Sequence, residues 1–283
     1  MNDNDMESEM AWTKDMLLLD RTEDLTGDSS YSFALDELLC RQAGEGGPAV
    51  CHLWRHPRAF VMGTKDSRLP RAADAVRWLE HSGYDVLVRH SGGAAVPLDT
   101  GVINLSLIMP ISATFAQGFR NDFDRMYAFI RQSLASLGCN IHKGEVEGSY
   151  CPGDYDLHID GFKFCGIAQR RQVRSMIVQA FVLVEGSGVE RAELVKAFYE
   201  RAGVGAEPGA YPLIKPTTMS SLQERSVVGN DGVLIFKNAV IETLHELQAN
   251  QWWPPSENLL SIPQPAIIQD MGNKLRQRYP VPR

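Results

Sequence analysis

Hydrophobic and polar positions follow two periods along the chain, and they predict interleaved helices and strands. A helix is expected to be capped at its start by Ser29 or Ser30 and to end at the glycine-rich segment 44–48. Helical spacing of apolar residues also covers residues 71–81, 123–137, 190–201 and 234–247. Apolar or alternating runs typical of strands cover residues 49–55, 59–62, 85–89, 102–109 and 175–184.

A β-hairpin is predicted shortly after residue 150. Residues 155–159 alternate like a strand, and Asp160-Gly161 is a dipeptide favoured in two-residue hairpin turns. On the return strand, alternation places Lys163 and Cys165 on the same face.

Several predicted strand pairs are joined by connections too short for parallel crossovers, which favours antiparallel pairing. The chain is therefore predicted to have an α+β fold, with a mixed, largely antiparallel sheet flanked by helices. Residues 206–216 are rich in proline and glycine and predict a connector. After it, Thr218 or Ser220 is expected to open a short helix that contains Leu222.

The expected domain organisation has three parts. Residues 1–10 are acidic and contain no apolar segment, so they are expected to be disordered and not a signal peptide. One large domain is expected over residues 11–250. A C-terminal extension is expected over residues 251–283, where two tryptophans and two prolines at 252–255 interrupt the pattern.

Composition narrows the possible partners of the protein. Its 283 residues, 44% hydrophobic and 22% charged, are ordinary for a globular protein, and the net charge of −7 argues against nucleic acid as a partner. No apolar run approaches the ~20 residues needed to span a bilayer, so a cytoplasmic protein with no membrane partner is expected. Five scattered cysteines without a C-x-x-C pair indicate reduced thiols and argue against a zinc site.

Cys151 lies in a turn-rich loop before the predicted hairpin, and Lys163 lies on the return strand. A cation near a cysteine favours its thiolate, which attacks carbonyl groups and holds the acyl group as a thioester. Spacing alone leaves alternatives open, because a single cysteine is more often a small buried hydrophobic residue. A hairpin lysine is usually solvated, and Cys165 is a rival nucleophile on the face of Lys163.

A second candidate region is residues 89–104, R-H-S-G-G-A-A-V-P-L-D-T-G-V-I-N. Gly92 and Gly93 follow a predicted strand, where missing side chains let a ligand approach the backbone closely. An ordinary strand-to-strand turn is the alternative. The segment has neither the G-x-G-x-x-G nor the Walker A pattern, so it does not predict a dinucleotide or nucleotide-phosphate site.

Together the two regions resemble a known superfamily, the lipoate–protein ligases and related octanoyltransferases. The shared patterns are R-x-S-G-G-x-A-V-x-x-D-x-G-x-x-N at 89–104 and D-L-x-x-x-G-x-K-x-x-G-x-A at 156–168. The resemblance covers most of residues 30–250 and implies the catalytic fold of biotin and lipoate protein ligases. It implies that Lys163 is the catalytic or activating lysine. It also implies that the acyl site is lined or shaped by Arg89, Ser91, Gly92, Gly93, Asn104 and Gly166.

Within that superfamily, residues 64–70, 98–106 and 148–157 resemble the octanoyl amidotransferases most closely. Those enzymes move an octanoyl group from the lysine of glycine cleavage H protein to lipoyl domains of 2-oxoacid dehydrogenases. ATP-dependent ligases commonly carry a histidine where Leu98 stands and lack a cysteine at position 151. The resemblance thus implies an acyltransferase of protein lipoylation with Cys151 as nucleophile, H protein as donor, lipoyl domains as acceptors and no cofactor.

Other functions stay open at this point. One alternative is an octanoyltransferase that takes its acyl group from acyl carrier protein, and another is a lipoate ligase that requires ATP. A third is a non-catalytic carrier-binding protein, which is disfavoured because Cys151 and Lys163 are both present. Cys165 is interpreted as a packing residue. The basic residues Arg170, Arg171 and Arg174 are expected either to steer docking of an acidic carrier domain or to form a solvated charge cluster.

Overall fold

The structure is a computed structural model that describes residues 10–111, 119–248 and 259–283. Residues 1–9 of the segment 1–10 that was predicted to be disordered, and the interruption predicted at 252–255, lie outside these residues. None of the described helices is long and apolar enough to cross a membrane.

The described residues form ten strands, six α-helices and three short 3-10 helices. The strands are β1 (Leu17–Arg21), β2 (Val50–Trp54), β3 (Arg58–Met62), β4 (Asp85–Val88), β5 (Val96–Asp99), β6 (Val102–Pro110), β7 (His142–Lys143), β8 (Leu157–Ile159), β9 (Phe162–Arg171) and β10 (Ser175–Leu183). The α-helices are α1 (Ser30–Gly44), α2 (Ala72–His81), α3 (Phe119–Ala135), α4 (Gly188–Ala202), α5 (Gly232–Leu247) and α6 (Pro265–Arg278). The 3-10 helices are Ala11–Thr13, Asp66–Arg68 and Pro216–Thr218.

The strands form two sheets. The larger has seven strands in the order β1-β2-β6-β10-β9-β8-β7, and the smaller has the order β4-β3-β5. Only the pairs β1–β2 and β3–β4 are parallel among the described strands. The predicted α+β fold with a mixed, largely antiparallel sheet is therefore confirmed.

Two hydrophobic clusters cover the two faces of the seven-stranded sheet. The first contains Leu35 of α1 and Phe198 of α4, together with the small sheet and α2. The second contains Phe129 of α3 and Phe236 of α5. Alternating residues of β10 join opposite clusters, since Ile177 belongs to the first and Val178 to the second. Cys151, the candidate nucleophile described below, belongs to the first cluster, together with Phe181 of β10.

Most predicted elements are confirmed to within a few residues, but several elements had no prediction, among them β1, β5 and α6. Strand β1 pairs in parallel with β2, which is a contact that local periodicity does not reveal. Strand β5 contains Pro97, which weakens a strand pattern. Helix α6 packs on α1, and at Gly272 a Cβ atom would lie 2.6 Å from Ser30 Oγ.

Two local predictions are wrong. The expected helix around Leu222 is absent: the described chain has the 3-10 helix Pro216–Thr218 and then a turn. In that turn, the Glu224 carboxylate accepts a hydrogen bond from Ser221 N at 2.8 Å. A side-chain hydrogen bond of this kind stabilises a turn and competes with the backbone hydrogen bonds of a helix. At the start of α1, Ser29 makes no side-chain cap, and Asp28 Oδ1 instead accepts from Ser30 N at 2.7 Å.

Candidate active site

Cys151 stands on a buried loop that a buried lysine holds in place. The φ angle of Cys151 is 47°, in the left-handed region that residues with a side chain rarely adopt. Lys163 Nζ donates to the main-chain oxygens of Tyr150 and Cys151, each at 2.7 Å, and lies 2.8 Å from Asp156 Oδ2. The three N–H donors of the ammonium group therefore each have an acceptor. This cation fixes the backbone that carries the thiol.

The structure corrects two expectations about Lys163. Its side chain is fully buried, so the expectation that a lysine on this hairpin is solvated is wrong. Its hydrogen bonds go to main-chain oxygens and to Asp156, whereas the donors at Cys151 Sγ are Arg89 Nη2 at 3.2 Å and Ala94 N at 3.4 Å. The cation in contact with the sulfur is thus the guanidinium group of Arg89.

The glycine-rich segment after β4 brings Arg89 and the thiol together. Gly93 has a φ of 95°, and a Cβ atom there would lie 2.2 Å from Arg89 Nη2 and 2.9 Å from Cys151 Sγ. Only glycine allows this approach at an unchanged backbone. Tyr199 Oη anchors the same segment, because it accepts from Ala95 N at 3.2 Å and donates to Asp66 Oδ1 at 2.9 Å.

An apolar tunnel lies beside Cys151, and its empty volume of about 430 Å³ includes space open to solvent. Its lining residues are Phe33, Trp54, Val61, Arg89, Val96, Leu98, Asn104, Ser106, Cys151, Gly166, Ile167, Ala168, Gln179, Ala180 and Phe181. The arrangement suits a thiol that receives a narrow apolar acyl group.

The six residues predicted to bind the acyl group do not all line the tunnel. Arg89, Asn104 and Gly166 line the tunnel, and Gly93 contacts the thiol. Ser91 is buried beside the lining, whereas Gly92 is exposed, with open space where a Cβ atom would stand.

Several buried polar atoms at the site have no hydrogen-bond partner among the residues that the structure describes. These include Arg89 Nε, Asn104 Nδ2, Ser91 Oγ and Trp54 Nε1. Buried polar groups are normally hydrogen-bonded, so these atoms are available to a bound ligand. Among the described residues, no group of three or more His, Cys, Asp or Glu side chains is placed to hold a metal ion.

Sequence reasoning missed three residues that organise the site. Asp156 is the first residue of the second motif, so the sequence marked its position. Its role became clear only from its ion pair with Lys163. Asp66 lies within residues 64–70, which were noted for their resemblance alone. Tyr199 lies on α4, and nothing in its sequence context marks it.

The other cysteines differ from Cys151 in their surroundings. Cys165 is fully buried, and burial raises the pKa of its thiol. Burial likewise raises the pKa of Cys40 to about 11 and that of Cys51 to about 12. Thiols of this kind are not ionised near neutral pH, which supports the interpretation of Cys165 as a packing residue.

The basic run after the hairpin is largely neutralised. Arg170 Nε lies 3.1 Å from Glu37 Oε2, and Arg171 pairs with the buried Asp122. Arg174 is exposed beside Val173 at the turn between β9 and β10. The run is therefore not the free cluster of three charges that the sequence suggests.

Glu37 is expected to make the fold sensitive to acid. Its burial raises the carboxyl pKa, but hydrogen bonds from His90 and Arg170 outweigh that effect and lower the pKa from 4.5 to about 2. The stabilisation is therefore complete above pH 4.5 and is lost as the pH falls through about 2. At about 1.4 kcal/mol per pKa unit, the upper limit of this stabilisation is about 3.5 kcal/mol.

Denaturant unfolding of wild type and Glu37→Gln between pH 3 and pH 7 measures this effect. The variant should be less stable at pH 7 and should lose less stability on acidification. Parallel profiles for the two proteins would show that Glu37 does not contribute.

Sequence comparison places the chain among proteins of lipoyl-group metabolism. Residues 28–226 match the family described as lipoyl protein ligase A/B catalytic domain. The chain is 45% identical over 199 residues to the octanoyl-[GcvH]:protein N-octanoyltransferase of Geobacillus kaustophilus, covering 70% of each chain. It is 35% identical over 212 residues to the lipoyl-[GcvH]:protein N-lipoyltransferase of Listeria monocytogenes, covering 74% of this chain and 76% of that one.

Solved structures show the same fold at low identity. A lipoate-protein ligase A bound with ATP aligns with a TM-score of 0.63 at 19% identity, covering 92% of this chain and 94% of that one. A bi-partite lipoate protein ligase from Thermoplasma acidophilum aligns with a TM-score of 0.60 at 18% identity, covering 92% of each chain. The likeness at these identities concerns the fold alone.

Proposed function

Because the chain belongs to the lipoyl protein ligase A/B catalytic domain family, we propose that it transfers an octanoyl group between proteins. The donor is the octanoylated lysine of glycine cleavage H protein, and the acceptors are lysines of lipoyl domains of 2-oxoacid dehydrogenases. The observation that carries the proposal is the position of Cys151, whose thiol faces an apolar tunnel and contacts two hydrogen-bond donors. The names of the relatives support the same donor.

The reaction has two steps through a thioester. The Cys151 thiolate attacks the amide carbonyl of octanoyl-lysine, a C–S bond forms, the C–N bond breaks, and the leaving lysine amine takes up a proton. The acceptor lysine then attacks the thioester, a C–N bond forms, and the thiolate leaves while the amine releases a proton. The donor and acceptor bonds are both lysine amides, so the reaction is close to isoenergetic and needs no nucleotide.

The contacts of the two cations at the site support different roles for them. Arg89 Nη2 and Ala94 N contact the sulfur, so they stabilise the thiolate. We assign Ala94 N a second role as a donor to the oxyanion of the tetrahedral intermediate. Lys163 uses its N–H donors on the loop and on Asp156. We assign Lys163 the role of a positioning residue that presents Cys151 to the tunnel.

Purified enzyme is expected to move octanoyl mass from octanoylated H protein to an apo lipoyl domain without nucleotide. Because the two amides are nearly equal in free energy, the transfer should also run from an octanoylated lipoyl domain to apo H protein. Intact-mass spectrometry of both carriers measures each direction. Failure in both directions, combined with efficient acylation from octanoyl acyl carrier protein, would assign the enzyme to the carrier-protein-dependent octanoyltransferases. A requirement for ATP and magnesium would indicate a ligase.

A lipoyl group is the second candidate for the transferred acyl chain. It is supported by the relative from Listeria monocytogenes, which is named for lipoyl transfer from the same donor. Parallel assays with lipoylated and octanoylated H protein decide between the two groups. We expect faster transfer of octanoyl, since the relatives of higher identity are named for it.

A further inference from the structure

A buried carboxylate network lies behind the acyl tunnel. Asp36 of α1 has its Oδ1 atom 2.7 Å from His52 Nδ1. Its Oδ2 atom accepts hydrogen bonds from Ser106 Oγ at 2.6 Å and from Gln179 Nε2 at 2.9 Å. Asp36, His52 and Ser106 are each no more than 1% exposed. Nothing in the transfer chemistry uses these groups, although Ser106 and Gln179 line the tunnel.

The strand register locates this network relative to Cys151. Three successive rows cross β2, β6, β10 and β9: Trp54–Asn104–Phe181–Gly166, His52–Ser106–Gln179–Ala168 and Val50–Ile108–Ile177–Arg170. The tunnel is lined by the whole first row, by three residues of the second row and by none of the third. Tyr150, next to the nucleophile, stacks on Phe181 of the first row with ring centroids 5.7 Å apart. The thiol therefore lies at the first row, and the tunnel ends at the second.

The distance between these rows matches a medium-length acyl chain. Neighbouring rows are two residues apart, which is about 7 Å along a strand. An extended chain advances about 1.25 Å per C–C bond, so the seven C–C bonds of an octanoyl group span about 9 Å. An octanoyl chain on the Cys151 sulfur thus extends past the first row and ends at the second.

We propose that Gln179 and Ser106, held by Asp36, form the closed end of the tunnel and limit the transferred acyl group to about eight carbons. This inference rests on the proposed function and adds the residues that set the acyl length. A longer chain would have to push the Gln179 amide away from Asp36. That movement breaks a hydrogen bond to a buried carboxylate, which is stronger than a bond between neutral groups.

The variant Gln179→Ala tests the inference, and Gln169→Ala is its matched control. Gln169 is a glutamine on the neighbouring strand whose amide donates to Asp122 of α3, and it does not line the tunnel. Transfer rates are measured with octanoyl, decanoyl and dodecanoyl H protein. We expect the ratio of the decanoyl transfer rate to the octanoyl transfer rate to rise about tenfold in Gln179→Ala. The reason is that the two additional methylene groups of the decanoyl chain can then be buried. The ratio in Gln169→Ala should equal that of wild type.

Calorimetric binding of octanoic and decanoic acid provides a readout that needs no donor protein. The ratio of their affinities should shift toward decanoic acid in Gln179→Ala and stay constant in Gln169→Ala. If wild type transfers no acyl group from H protein, the proposed donor is wrong. The ratio of the affinities for octanoic and decanoic acid then tests the position of the tunnel end by itself. An unchanged binding ratio in a folded Gln179→Ala protein, or an equal shift in the control, would overturn the inference.

Discussion

Replacing Cys151 with alanine is expected to abolish octanoyl transfer, lowering the rate by at least ~10³-fold, and to remove the octanoyl adduct from the enzyme. Without the thiol, the acceptor amine must attack an amide directly, and the barrier is no longer divided between two steps. Intact-mass spectrometry after mixing with octanoylated H protein detects the adduct, and transfer to a lipoyl domain gives the rate.

Cys165→Ala is the matched control for this prediction. Its side chain is fully buried, and burial raises the pKa of its thiol, so this variant should keep the adduct and most of the activity. The nucleophile assignment would be wrong if Cys165→Ala lost the adduct while Cys151→Ala retained it.

Replacing Lys163 with methionine is expected to destabilise the fold by about 3–5 kcal/mol, although the aliphatic volume is retained. The change leaves the buried Asp156 carboxylate without its cation and removes the donor from the main-chain oxygens of Tyr150 and Cys151. Transfer should fall as well, because the loop that presents Cys151 is no longer fixed. Denaturant unfolding gives the stability change.

The double variant Lys163→Met/Asp156→Asn distinguishes an unpaired charge from simple loss of packing. It should recover part of the lost stability, because no carboxylate is then buried alone. Additive effects of the two substitutions would contradict this account.

The pH dependence of Asp156 gives an independent check. Burial raises its pKa from 3.8 to about 6, even though Lys163 lowers it. Since the folded state then holds the proton more tightly than the unfolded state, the contribution of Asp156 to stability falls as the pH rises from about 4 to 6. In Lys163→Met, burial still raises the pKa of Asp156 and no cation lowers it. The loss of stability in this variant should therefore be smallest in acid and should grow toward neutral pH.

Local chemistry made much of the chain predictable from its sequence. The Asp160-Gly161 dipeptide predicted a hairpin, and both residues adopt positive φ angles, 50° and 82°, as a tight turn between antiparallel strands requires. Helices with a clear apolar period were predicted within a few residues, since burial of one face dominates their stability. The motif residues Arg89, Gly93 and Cys151 do meet at one site.

Tertiary structure decided what each of those residues touches. Lys163 was expected at the thiol, but the loop places its ammonium group on two backbone oxygens and Asp156, and Arg89 reaches the sulfur from 62 positions away. The end of the acyl tunnel likewise depends on Asp36, which contacts residues 16 to 143 positions distant. Sequence patterns report dihedral preference and burial of a face. The partners of a buried charge depend on the non-local packing that removes the charge from water, so only the assembled fold identifies them.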